Sequence, residues 1–279
     1  CGHQRLSHRT HTVGVFDSGV GGLSVLRALL AELPRTRFVY VADRAYAPYG
    51  ERSPTEVEAR SQSIVAQLRE EHPLDAMVVA CNTATALAID ALRHVHHDLP
   101  FVGVEPALKP AATLSSTRHI GVLATRGTLT SERYRKLQER LEHGSPAHRP
   151  HFLNQPCDGL ADAIERGDRA QTLALCERYV EALRSQTPPE ARMDTLVLGC
   201  THYPFAADVL QRLCGPQVQL VETGTPVARR TREVLIAHEP RSVHQQPGLE
   251  LLTTRDPQAV SDLASRWLGS DVPARLWAS

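Results

Sequence analysis

Apolar patterning in this sequence predicts an α/β fold of two pseudo-symmetric domains, each a mainly parallel sheet flanked by helices, with an active site in the cleft between them. Three observations carry that reading. Short β-rich runs alternate with helical stretches, the alternating series occurs twice, and each series closes one apolar run on a cysteine. Parallel strands need a crossover, usually a helix, and their functional loops gather at the carboxyl ends of the strands.

The first series opens with TVGVF followed by the helical LSVLRALLAEL, continues with RFVYVAD and SPTEVEARSQSIVAQLREE, and then with LDAMVVAC and TATALAIDALRHV, to end at FVGVE. A second series begins at HIGVLATRGT and runs through LVLGC to VQLVETG. Laid over each other, the two agree: Val13 to Ser18 parallels Ile120 to Thr125, and LDAMVVACNT parallels MDTLVLGCTH, with Asp75 and Asp194 each six residues ahead of its cysteine. The expected boundaries are residues 13–109 with 225–279 for the first domain and 110–224 for the second. The last stretch, with helical TPVARRTREVLIAH and AVSDLASRWLG, is expected to pack back on the first domain. Residues 1–12 are polar and basic with no apolar run behind them, so they read as a disordered extension rather than a secretory signal.

Composition leaves several functions without support. Thirty-one basic residues balance thirty-one acidic ones, which leaves no electrostatic footprint for a nucleic acid or an anionic membrane. No apolar run reaches membrane-spanning length. The only lysines, Lys109 and Lys136, lie beside a proline and in a polar helix, so a pyridoxal Schiff base has no good partner and no cofactor is expected. Six cysteines form no CxxC pair and no metal-ligand spacing, which suits free thiols in a reducing cytoplasm and no bound metal.

Cys81 and Cys200 each finish a strand where a helix begins, so N–H groups and the positive end of the helix dipole are expected to lower the thiol pKa. One such cysteine reads as a small buried hydrophobe; two at equivalent places read as a functional pair. Facing across a cleft they suit a disulfide, a metal clamp or two acid/base groups on opposite faces of one carbon. A reducing compartment disfavours the first and the missing ligand spacing disfavours the second. Two-base proton transfer uses the symmetry directly.

Other candidates surround the pair. His202 stands two residues from Cys200, close enough in a turn to orient it. Asp17 and Ser18 precede the glycines of GVGG at a helix start that suits a carboxylate or phosphate, and Asp17 is either an ammonium acceptor or an N-cap. The same stretch lacks the last glycine of a dinucleotide fingerprint. Tyr49 and Gly50 sit in a turn, and Asn82, Thr83 and Thr201 are polar groups at helix starts, where capping is their ordinary task. Glu165 falls on an amphipathic helix, where a charge ordinarily faces solvent.

Taken in order, VFDSGVGGLSV, ADRAYAPYG, VVACNTAT, GVEPALKPA, IGVLATRGT, LVLGCTHYPF and TPVARR resemble the bacterial glutamate racemases of the aspartate/glutamate racemase superfamily, from about Val13 to about Ala237. The resemblance implies a cytoplasmic, cofactor-independent enzyme, expected as a homodimer, that interconverts L- and D-glutamate for peptidoglycan synthesis. By motif match Cys81 and Cys200 are its proton donors and acceptors, Cys81 acting on the D and Cys200 on the L form. Asp17, His202 and Glu165 look like the groups that assist them. Asp17, Ser18, Tyr49, Gly50, Asn82, Thr83, Thr125, Thr128, Thr201 and His202 look like the substrate contacts. Two positions depart from the family pattern: Glu222 stands where Asp-Ser is common, and Arg44 replaces a smaller residue. The alternatives are a racemase of aspartate or another acidic amino acid, and a non-catalytic binding or regulatory relative.

Overall fold

Ten strands form two separate parallel sheets in the computed structural model, which describes residues 10–143, 149–188, 191–241 and 246–278. The strands are β1 (Thr12–Asp17), β2 (Arg37–Ala42), β3 (Ala76–Val79), β4 (Phe101–Gly103), β5 (His119–Ala124), β6 (His151–Pro156), β7 (Thr195–Gly199), β8 (Gln219–Val221), β9 (Gly248–Thr253) and β10 (Ala274–Leu276). The first sheet has the order β10-β9-β2-β1-β3-β4 and the second β6-β5-β7-β8. The run β2-β1-β3-β4 is therefore repeated as β6-β5-β7-β8, so the doubled sequence series is a doubled topology.

Both faces of each sheet are covered, which explains why the strands read as continuous apolar runs rather than alternating ones. Helices α1 (Leu23–Glu32), α10 (Gly224–Ile236) and α11 (Pro257–Leu268) cover one face of the first sheet; α2 (Pro54–Glu71) and α3 (Asn82–Val95) cover the other. Successive strand residues point to opposite faces. Accordingly Phe38 and Tyr40 of β2 join Leu26, Leu29 and Val227, whereas Val39 and Val41 join Ile64, Leu68 and Met77. In the second sheet, α7 (Leu160–Glu165), α8 (Arg169–Gln186) and α9 (Ala207–Cys214) pack on one face, and α4 (Leu108–Leu114) and α6 (Glu132–Glu142) on the other. The short α5 (Arg126–Thr130) follows β5.

Local sequence sets the helix starts. At α2, Ser53 accepts from the Glu56 amide and the Glu56 carboxylate returns to the Ser53 amide, with Pro54 at the first helical position. The two matched aspartates tie the start of a cysteine strand to its neighbour. Asp75 accepts from the Thr12 amide at 2.7 Å, and Asp194 accepts from the Ser116 and Thr117 amides at 2.7 and 2.9 Å.

Two expectations change. The extension expected over residues 1–12 is shorter at its inner end, because Thr10 is buried and Thr12 opens β1; residues 1–9 lie outside the described residues. The last stretch adds strands as well as helices to the first sheet, β9 pairing with β2 and β10 with β9. Leu251 and Leu252 are buried, but β9 carries Glu250 between apolar residues and β10 has three residues, too few for a visible period. Among the described residues no helix is long and apolar enough to cross a membrane.

Candidate active site

Connections leave β1 and β3, and likewise β5 and β7, towards opposite edges of their sheets, which opens a crevice at the carboxyl ends of those strands. Asp17 ends β1 and Cys81 lies two residues past β3; Thr125 directly follows β5 and Cys200 directly follows β7. Two equivalent crevices thus each present one thiol. Cys200 lies near enough to act electrostatically on Cys81.

On the first lobe Cys81 itself is the N-cap of α3. Its Sγ accepts from the Ala84 amide at 3.4 Å and lies 3.4 Å from the Ser18 hydroxyl. The expected lowering of this thiol's pKa does not occur. Burial, with the Asp17 carboxylate adding to it, pushes Cys81 up to about 12, outweighing the hydrogen bonds from Ser18 and Ala84. Asp17 is buried; one oxygen accepts from the Gly22 amide at 2.7 Å and the other has no hydrogen-bond partner among the described residues. Burial pushes its carboxyl above the usual range against the pull of His202. Asn82 donates to the Val104 carbonyl at 3.4 Å, and its Oδ1 is likewise buried without a partner.

Tyr49 begins a short 3₁₀ turn and is buried, with its hydroxyl donating to Asp43 at 2.6 Å. Its side chain is committed to the fold, so the turn offers the backbone of Tyr49 and Gly50. The second lobe stands close by: a Cβ placed on Gly127 of α5 would lie 3.8 Å from both the Gly50 carbonyl and Thr83. Thr125 caps α5 by accepting from the Thr128 amide, and its hydroxyl lies 2.9 Å from that of Thr128 and 3.5 Å from that of Thr83 across the cleft.

On the second lobe Cys200 Sγ lies 3.8 Å from His202 Nδ1, and His202 Nε2 lies 2.9 Å from a Glu165 oxygen. Glu165 is not the solvent-facing charge its helix pattern suggested. It is largely buried, and its other oxygen accepts from Arg44 Nε at 3.0 Å. Burial pushes the Glu165 carboxyl up, but His202 and Arg44 more than offset this and hold it down at about 2. Burial likewise opposes charge on His202, yet Cys200 and Glu165 hold the imidazole well above its usual value. Thr201 meets the first lobe through its carbonyl, which accepts from the Ser24 hydroxyl at 2.7 Å.

The glycines of GVGG serve a close approach between the lobes. A Cβ on Gly19 would lie 2.6 Å from Glu165 Oε2, and one on Gly21 would lie 2.3 Å from His202 Nδ1, so any side chain there would displace the acid–imidazole pair. Two residues of the site were not among those expected from the sequence. Tyr40, fully buried in β2, donates to the Gly19 carbonyl at 3.3 Å and stands beside Asp17, and the helix signal at Glu165 hid its partner Arg44. Among the described residues no three His, Cys, Asp or Glu side chains converge to hold a metal ion.

The family profile described as Asp/Glu/Hydantoin racemase matches residues 13–231. The glutamate racemase of Methylococcus capsulatus is 43% identical over 263 residues, 93% of each chain. A glutamate racemase isoform from Bacillus anthracis superposes with a TM-score of 0.83 at 29% identity, over 97% of this chain and 98% of that one. The Escherichia coli glutamate racemase, solved with L-glutamate and the activator UDP-MurNAc-Ala, gives 0.82 at 32% identity, over 96% and 98%. With the profile spanning both cysteine strands and the glycine loop, the chain belongs to the Asp/Glu/Hydantoin racemase family and is an amino-acid racemase.

Proposed function

We propose that the chain interconverts L- and D-glutamate by two-base proton transfer at Cα, without a cofactor, with Cys81 and Cys200 acting from opposite faces. The observation that carries this is the pair of thiols at equivalent strand ends, each with polar partners of its own. One thiolate removes the α-proton, leaving its electron pair on Cα; the opposite thiol delivers its proton to the other face and becomes the thiolate. The return reaction exchanges the roles. On the family resemblance, Cys200 takes the proton of the L form and Cys81 that of the D form.

The Cα–H of an amino acid is a very weak acid, so a thiolate needs electrostatic help in a water-poor cleft. The free oxygens of Asp17 and Asn82 are suited to accept from the substrate ammonium. Ser18, Thr83, Thr125, Thr128, Thr201 and the backbone at Tyr49 and Gly50 would hold the carboxylates. His202, backed by Glu165, would assist Cys200. Glutamate is favoured because the relatives above are glutamate racemases and one was solved with L-glutamate. The role that follows is cytoplasmic supply of D-glutamate for peptidoglycan, by a homodimer as the resemblance implies.

Purified protein given L-glutamate in deuterated buffer, with no cofactor added, should exchange the α-hydrogen and erase the optical rotation. Reaction with aspartate but not glutamate would overturn the substrate; reaction with neither would overturn the activity.

A further inference from the structure

We infer that Arg44 is a positioning residue for the Cys200 half of the cleft: it reaches from the first lobe to hold the Glu165 carboxylate in line with His202. This rests on the two-thiol reading. Arg44 follows β2 of the first sheet, whereas Glu165 ends α7 on the second. The two carboxylate oxygens are divided between charged partners, one taking Arg44 Nε at 3.0 Å and the other His202 Nε2 at 2.9 Å. A carboxylate held at both oxygens cannot turn away from the imidazole without giving up one of them. The guanidinium's Nη1 is buried without a hydrogen-bond partner among the described residues and lies 3.7 Å from Asp256, the N-cap of α11, a weak attraction to a half-exposed carboxylate.

The charge around Glu165 shows what Arg44 adds. The groups that face the carboxylate are His202, Arg44, the Asp17 carboxylate and the Tyr40 phenol. Without Arg44 there remain two buried carboxylates and one imidazole to balance them. Arg44 supplies the second cation, so Glu165 stays ionised and His202 stays charged beside Cys200. Arg44 also stands where the family resemblance leads one to expect a smaller residue. The Cys81 half has no equivalent cation among its described contacts.

Two measurements on the full chain test this. In Arg44→Ser, kcat should fall roughly ten-fold with KM little changed, the scale of a displaced catalytic group; Arg44→Lys, which keeps the charge without the planar fork, should recover part of it. Independently of turnover, NMR of ¹⁵N-histidine-labelled protein, with His202 assigned from His202→Gln, should show its titration moving to lower pH in Arg44→Ser as Glu165 leaves the ring. Simple removal of a nearby positive charge would move it the other way. An upward or absent shift overturns the positioning role, as does an unchanged kcat in an active protein. If the wild type does not racemise glutamate, the functional reading falls and the NMR result alone decides Arg44.

Discussion

Cys81 and Cys200 occupy equivalent strand ends, but the chemistry around them differs in sign. Cys81 has an N–H donor, a hydroxyl and a buried carboxylate, and burial keeps its proton on. Cys200 has an imidazole backed by Glu165 and Arg44, two cations and one carboxylate that together bring net positive charge to its side of the cleft. The repeated topology offers two places for a thiol, and the loops that follow the strands surround them differently. A symmetric reaction therefore does not require symmetric surroundings. In the proposed mechanism it requires only that each thiol reach one face of the same carbon.

The largest effects should come from removing either thiol. Cys81→Ala and Cys200→Ala should each lower racemisation on the order of 10³-fold. The variants should differ in exchange: Cys81→Ala, keeping Cys200 and His202, should wash deuterium into L-glutamate without inverting it, and Cys200→Ala should do so more slowly with D-glutamate. Equal exchange rates would erase the contrast between the halves, and full activity in either variant would remove the two-thiol mechanism.

A smaller loss is expected from Glu165→Gln, whose amide cannot balance the His202 imidazolium; kcat should fall about 10²-fold. Its stability effect has a defined pH window. The folded Glu165 pKa, at about 2, lies below the ordinary 4.5, so its contribution is present above 4.5 and lost as the pH falls towards 2. The difference in denaturant midpoint between wild type and Glu165→Gln should shrink over that range.

The smallest effect, opposite in sign, is on the Cys81 half. The folded Asp17 pKa lies above its ordinary 3.8, so the ionised carboxylate costs stability as the pH rises from 3.8 through the folded value. Asp17→Asn should lose activity yet melt about 2–4 °C higher at neutral pH, the shift that about 1 kcal/mol produces in a chain of this size. Below pH 3.8 the gain should vanish. A variant no more stable than wild type at pH 7 would mean that the buried carboxylate carries no such cost.

Much of this architecture is legible from local pattern. TVGVF and LVLGC read as strands because buried parallel strands are apolar throughout, and the spacing from Asp75 to Cys81 and from Asp194 to Cys200 exposed the repeat. Mixed-polarity β9 escaped because it pairs with β2, more than two hundred positions away, and β10 because three residues that pair only with β9 show no period. Glu165 was legible only through motif resemblance, because its helix pattern describes the helix and not what faces it.

The order of residues thus determined the alternation, the duplication and the two thiols at strand ends, all of which depend on neighbours within a few positions. Tertiary structure alone decided the charges. Arg44 and Glu165 are 121 residues apart and Glu165 and His202 are 37 apart, and they meet only because two lobes close on the glycines of GVGG. Burial and ion pairing are properties of that closed arrangement, and they set which thiol keeps its proton and which stands beside a cation.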